Sequence, residues 1–197
     1  METQTMQQST SIEQPLVDVI QQRRSSRAYA ETSIGQEKIQ TLFEAARWAP
    51  SSNNEQPWAY IYATKDQPEL WGKLFDSLMD GNKIWAERAP LLILSMIRKN
   101  FVGSGKPNPS AKYDLGAANA FLSLQATHLG LNVHQMGGFD REKAKLNLNI
   151  PDTHDPAVML AIGYLGNTEL LPAFLQEREV APRARYTQDS FVMNKSF

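Results

Sequence analysis

The sequence predicts an α+β fold in which helices flank a central sheet, mixed or antiparallel. Three observations carry this reading. Segments near residues 58, 91, 132 and 158 are short and either β-branched and aromatic or wholly apolar, as strands are. Stretches of helical periodicity separate them, the pattern of a sheet covered by helices. The 197 residues, 42% of them hydrophobic, can build one core, and no repeat or second periodic block divides it. The expected organisation is a flexible N-terminal tail, residues 1–14, then a single domain, residues 15–197. From about residue 167 that domain becomes an extended C-terminal arm.

Each element has a local reason. Residues 1–14 are rich in Gln, Thr and Ser and carry neither a basic start nor an apolar run, so no signal peptide is expected there. Pro15 suits a first helical turn, Leu16, Val19 and Ile20 mark one face, and the helix is expected to run into residues 21–27. A second helix follows Ser33, with Ile39, Leu42, Phe43, Ala46 and Trp48 at helical spacing, and Pro50 stops it. Residues 58–63 form the first strand. Asp66 and Pro68 open a helix whose periodicity continues through Leu70, Leu74, Leu78 and Met79. The apolar run 91–97 suits a buried central strand, and the Gly/Pro/Asn-rich segment 98–112 suits a mobile lid or surface loop. Residues 114–129 give the strongest helix, with Leu115, Ala118, Phe121, Leu122, Gln125 and Leu129 on its inner face and Gly130 as its stop. A strand at 131–136, a helix at 141–148 capped by Asp140 and a strand at 157–163 complete the periodic part.

Composition closes off several function classes. A net charge of −1 with dispersed basic residues offers no patch for nucleic acid or a membrane surface. There are no cysteines, so thiolate catalysis, Fe–S clusters and disulfides are excluded. His128, His134 and His154 have no carboxylate at ligand spacing, so no metal site is expected. The longest apolar run, residues 89–97, is too short to span a bilayer. A cytoplasmic protein is the expectation. The phosphate-loop look of Gly103-Ser104-Gly105-Lys106 fails at Pro107, and neither a dinucleotide-binding glycine motif nor a nucleophile elbow is present.

Four features remain. Arg23-Arg24-Ser25-Ser26-Arg27 could hold a phosphate through charge-assisted bonds, or could be a solvated basic helix end. Residues 49–58 concentrate two hydroxyls and three amides (Asn53, Asn54, Gln56) between two prolines. Such a loop can recognise a flat heterocycle or bond its own backbone. Gly137-Gly138 permits a close backbone approach to a ligand or a simple turn. Arg183 and Arg185 form a second basic pair in the arm.

In this order and spacing, together with Asp114 and the Gly/Ala-rich helix that follows it, these motifs resemble the FMN-dependent nitroreductase family over residues 15–192. The resemblance implies a nitroreductase-like fold, an intertwined homodimer with exchange of the C-terminal tail, and two FMN sites at the dimer interface. It assigns the FMN phosphate and ribityl chain to Arg23, Arg24, Ser25 and Arg27, closed by Arg183 and Arg185. It assigns Pro50, Ser51, Ser52 and Asn54 to contacts made with the partner's flavin. Gly137 and Gly138 would offer backbone N–H groups near the flavin N5. No catalytic side chain is implied: NADH or NADPH passes hydride to flavin N5, and a small oxidant (nitroaromatic, quinone, enal or semialdehyde) then takes its place in a ping-pong cycle. Segments 98–112 and 75–85 are the expected substrate-facing parts. The alternatives on the same scaffold are a reductive dehalogenase, a flavin-cleaving enzyme or a non-catalytic flavin-binding protein.

Overall fold

A computed structural model describes residues 8–194 and residue 196. The elements run β1 (Gln8–Ser9), α1 (Asp18–Gln22), α2 (Gln36–Arg47), β2 (Trp58–Thr64), α3 (Pro68–Asp76), α4 (Asp80–Ala86), β3 (Leu91–Arg98), α5 (Ala111–His128), β4 (Asn132–Met136), α6 (Arg141–Leu148), β5 (His154–Gly163), α7 (Ala173–Val180) and β6 (Arg185–Tyr186). Single 3-10 turns lie at Ser52–Asn54, Thr168–Leu170 and Gln188–Ser190. The main sheet has the order β2-β3-β5-β4, and every pairing is antiparallel, so of the two expected forms the mixed one is excluded. Chain routing explains this. Two helices, α3 and α4, return the chain to the end of the sheet where β2 finishes, so β3 must run back. Helix α5 alone carries it to the opposite end, which sets β4 parallel to β3, but β5 enters between them.

Strand β3 is buried on both faces, as its unbroken apolar run requires. Leu92 and Leu94 pack with Trp71, Leu74, Trp85 and Phe139 on one side. Leu91 and Ile93 pack with Ile39, Leu42, Leu122 and Val133 on the other. Each such side chain contributes about 1.5–3 kcal/mol of burial. Within that core, Asn119 donates to Ser95 Oγ at 3.0 Å, and Ser95 donates to the Val158 carbonyl at 2.9 Å, so the polar groups α5 brings inside are satisfied.

Several local expectations differ from what forms. The first helix spans only five residues, and residues 23–27 leave it as extended chain, because their guanidiniums and carbonyls bond to α7 and the segment after it rather than to a local helix end. The periodicity through Leu78 and Met79 breaks into α3 and α4: Leu78 forms a bridge to Phe139, and Met79 donates to the Gly138 carbonyl at 3.1 Å. Phe121 is 42% exposed and not on the buried face of α5, which Asp114, Leu115, Ala118, Asn119, Leu122 and Ala126 occupy. Trp48 is 71% exposed. The arm contains the helix α7, held by buried Leu171 and Leu175. Segment 98–112 is tied: Asn100 bridges Pro107, and Phe101 donates to the Lys106 carbonyl at 2.8 Å. In segment 75–85, Trp85 is core, stacked on Tyr29 and 4.5 Å from the His134 ring. Of the expected N-terminal tail, residues 1–7 lie outside the described residues, while Gln8 and Ser9 pair with Tyr186 and Arg185.

Candidate functional site

Residues 23–27 are positioned from their C-terminal side. Ala28 and Tyr29 are each 2% exposed, and Tyr29 donates its hydroxyl to the Ala161 carbonyl at 2.9 Å. The chain leaving β5 grips the same place: Gly166 N–H bonds the Ala28 carbonyl, and a Cβ at Gly166 would sit 2.3 Å from the Tyr29 carbonyl carbon, so only glycine allows this approach. Buried Ser26 is fixed through its carbonyl, 3.2 Å from His134 Nδ1 on β4. The carbonyl can only accept, so Nδ1 carries the proton. Burial first, and then the charge of Arg27, pushes the His134 pKa down to about 4, so the ring is neutral at physiological pH.

The arm closes over this segment. Arg24 Nη2 donates to the carbonyls of Glu179 and Ala181 at 3.0 and 3.1 Å. Arg183 donates to the carbonyl of Arg23 at 2.6 Å and to that of Gln21. A cavity of about 200 Å³ results, lined by residues 23–27 together with Arg178, Glu179, Arg183 and Arg185. Five of the predicted residues (Arg23, Arg24, Ser25, Arg27 and the distant Arg183) thus meet, and Arg185 joins them. Burial, followed by repulsion from Arg183, Arg185 and Arg24, lowers the Arg23 pKa. Six guanidiniums against one carboxylate form a donor set suited to a multiply charged oxyanion such as a phosphomonoester. Arg178 and Glu179 were not singled out in the sequence. Their only signal is an alternation of charge, Glu177-Arg178-Glu179, just ahead of the Arg183–Arg185 pair.

Gly137 and Gly138 follow β4, the same strand that holds Ser26. Gln135 and Met136 separate His134 from Gly137, three steps along the chain or roughly 10 Å at ~3.3 Å per residue. Neither glycine N–H has an acceptor among the described residues, whereas the Gly138 carbonyl accepts from Met79 N–H at 3.1 Å and Asn82 Nδ2 at 2.9 Å. Edge strand β4 therefore has the cationic segment against its middle, at His134, and two backbone donors without an acceptor among the described residues just past its C-terminal end.

The loop at 49–58 is elsewhere. It enters β2, which lies across the full sheet from β4, a lateral distance of roughly 14 Å at ~4.8 Å per strand. Within the chain it is largely self-bonded. Ser51 Oγ accepts from Gln56 N–H at 3.0 Å, and Asn54 Oδ1 accepts from Gln56 Nε2 at 3.1 Å. Asn53, Asn54 and Gln56 hold positive φ (52°, 55° and 47°). Ser52 N–H donates to the buried Asp114 carboxylate at 3.2 Å. The structure thus brings the arginines together and keeps Pro50, Ser51, Ser52 and Asn54 away from them. Among the described residues no helix is long and apolar enough to cross a membrane.

Comparison with known proteins bears on the family and the fold. The nitroreductase family model matches residues 20–164. A solved structure described as an oxidoreductase containing FMN has a TM-score of 0.90 and 34% identity, covering 100% of this chain and 98% of its own. A nitroreductase family protein of Clostridium difficile 630 shares the fold at a TM-score of 0.72 and 24% identity, covering 93% of this chain and 100% of its own. A protein of Archaeoglobus fulgidus, provisionally named NADH dehydrogenase/NAD(P)H nitroreductase, is 28% identical over 150 residues, 74% of this chain and 83% of that protein. With its antiparallel sheet flanked by helices and a family match over most of its length, this chain belongs to the nitroreductase family.

Proposed function

We propose that the protein is a homodimeric FMN oxidoreductase that draws hydride from NADH or NADPH and reduces a small oxidant such as a nitroaromatic, a quinone or an enal. The observation that carries this reading is the cationic cavity beside β4 together with the Gly137 and Gly138 N–H groups just past that strand, which have no acceptor among the described residues. The residues fit the cofactor: guanidiniums and the Ser25 hydroxyl suit its phosphate, and the glycine donors suit the polar edge of its ring. When bound, the flavin supplies the redox chemistry by accepting hydride from the nicotinamide and delivering it to the oxidant in alternate half-reactions.

The chain's own work is binding and orientation. Arg23, Arg27, Arg178 and Arg185 neutralise the phosphate, while Arg24 and Arg183, bonded to backbone carbonyls, hold the cavity's two walls together. Ser51, Ser52 and Asn54 are proposed to act on the partner's flavin. Their position at the opposite sheet edge supports a role in trans, because they are remote from the cavity of their own chain. A groove of about 600 Å³ between α2 and α5, lined by Trp48, Phe121, Leu124 and Ala45, supports the dimer by offering apolar surface for a second copy. A nicotinamide-dependent role supports a cytoplasmic location.

Stopped-flow mixing of FMN-loaded protein with NADH and NADPH tests the reading. Bleaching of the bound flavin within a turnover by at least one of them is expected. A protein that cannot be loaded with FMN, or whose flavin neither nicotinamide bleaches, sinks it.

A further inference from the structure

Within a cavity lined by six arginines one side chain has the wrong sign for a phosphate site. Glu179, near the end of α7, is 6% exposed at its side chain, and its Oε1 accepts from the Arg27 backbone N–H at 3.0 Å and from Arg27 Nη1 at 3.4 Å. Arg27 and Glu179 both line the cavity, so a phosphate oxygen seated on Arg27 would meet this carboxylate. An N–H shared between a carboxylate and a phosphate bonds each less well than either alone, and two anions at that range repel. Arg24 and Arg183 cannot release it from this competition, since both are bonded to main-chain carbonyls.

We infer that Glu179 is a resident anion of the phosphate site: its carboxylate holds the Arg23–Arg27 segment in shape when no ligand is bound and competes with an incoming phosphomonoester for Arg27. The inference rests on the assignment of this cavity to the FMN phosphate. Ligand entry requires the Glu179 side chain to leave Arg27, and affinity is set by the balance between the two anions. Glu179 thereby determines how much of flavin affinity resides in the phosphate group.

The test is Glu179→Gln, which keeps size and an acceptor oxygen and removes the charge, with Glu179→Ser as a second charge-free variant should the first fail to fold. Apoprotein is titrated with FMN, riboflavin and inorganic phosphate, following flavin fluorescence for the first two and thermal melting for the third. The expected result is FMN binding tightened by about tenfold, as one nearby charge contributes. Phosphate should stabilise the variant at correspondingly lower concentration, and riboflavin affinity should not change. FMN binding that is equal or weaker in the variant, while the wild type loads normally, overturns this inference alone. Tightening of riboflavin to the same degree overturns it too, since the effect would not act through the phosphate. Wild-type protein that takes up neither FMN nor phosphate overturns the cofactor reading and this inference together.

Discussion

Arg98 and Glu55 tie two loops at one point. Arg98 Nη2 donates to Glu55 Oε2 at 3.0 Å and to the Glu55 carbonyl at 2.7 Å, and the same carboxylate accepts from the Val102 backbone N–H at 3.2 Å. Both side chains are mostly buried, at 29% and 17% exposure. The loop before β2 and the turn after β3 therefore move together or not at all. Glu55→Ala leaves the Arg98 guanidinium half-paired and should lower stability by about 2 kcal/mol, the scale of charged hydrogen bonds in partial burial. Urea denaturation measures it, and limited proteolysis should show faster cutting at residues 100–107.

Gln56 holds φ = 47° without being glycine, and its side chain is exposed. A left-handed conformation costs a non-glycine residue about 1–2 kcal/mol. Gln56→Gly should relieve it and raise stability by about 1 kcal/mol, less the entropy that glycine adds to the unfolded chain. Unchanged or reduced stability in denaturant would mean that the Gln56 bonds to Asn54 outweigh the strain.

Arg183 reaches two backbone carbonyls, those of Gln21 and Arg23, with two nitrogens of one planar group. An ammonium has no such fork. Arg183→Lys should therefore behave like Arg183→Ala, weakening FMN by about tenfold or more, while the sheet core is unaffected. Equal affinity in the lysine variant would show that charge alone suffices.

His134 makes folding pH-dependent in a defined window. Its folded pKa is pushed down to about 4 by burial and by Arg27, against 6.5 when unfolded. Between those values the unfolded chain binds a proton that the folded chain refuses. Its contribution is complete above pH 6.5 and falls as the pH drops toward 4, by about 3 kcal/mol in all. His134→Gln should flatten this part of the stability curve, as read from denaturant midpoints between pH 7 and 4.

The sheet was legible because its strands are locally written. Leu91 to Ile97 is apolar at every position but Ser95, and Trp58 to Ala63 is aromatic and β-branched. The breaks were not. Leu70, Leu74 and Leu78 keep one period across Ser77, and what ends α3 is the bridge from Leu78 to Phe139, some sixty residues on. At the site, Arg23, Arg27 and Arg183 could be named from type and order. Glu179 could not, because its meaning comes from lying against Arg27, and nothing near it in the chain says so. The inward face assigned to α5 failed at Phe121 for a related reason. A helix with apolar residues all round does not reveal from its own sequence which side meets the sheet.

The bonds that close the cationic cavity join residues about 150 to 160 positions apart, Arg24 to Glu179 and Arg183 to Arg23. Contacts of such separation form late, after the loops between them have closed. On the ribosome, where synthesis proceeds from the N-terminus, the sheet can assemble before the cavity exists. On the proposed reading, flavin loading would be a checkpoint on a finished polypeptide: a chain truncated before α7 would retain most of its core and lack the cavity proposed to hold the cofactor.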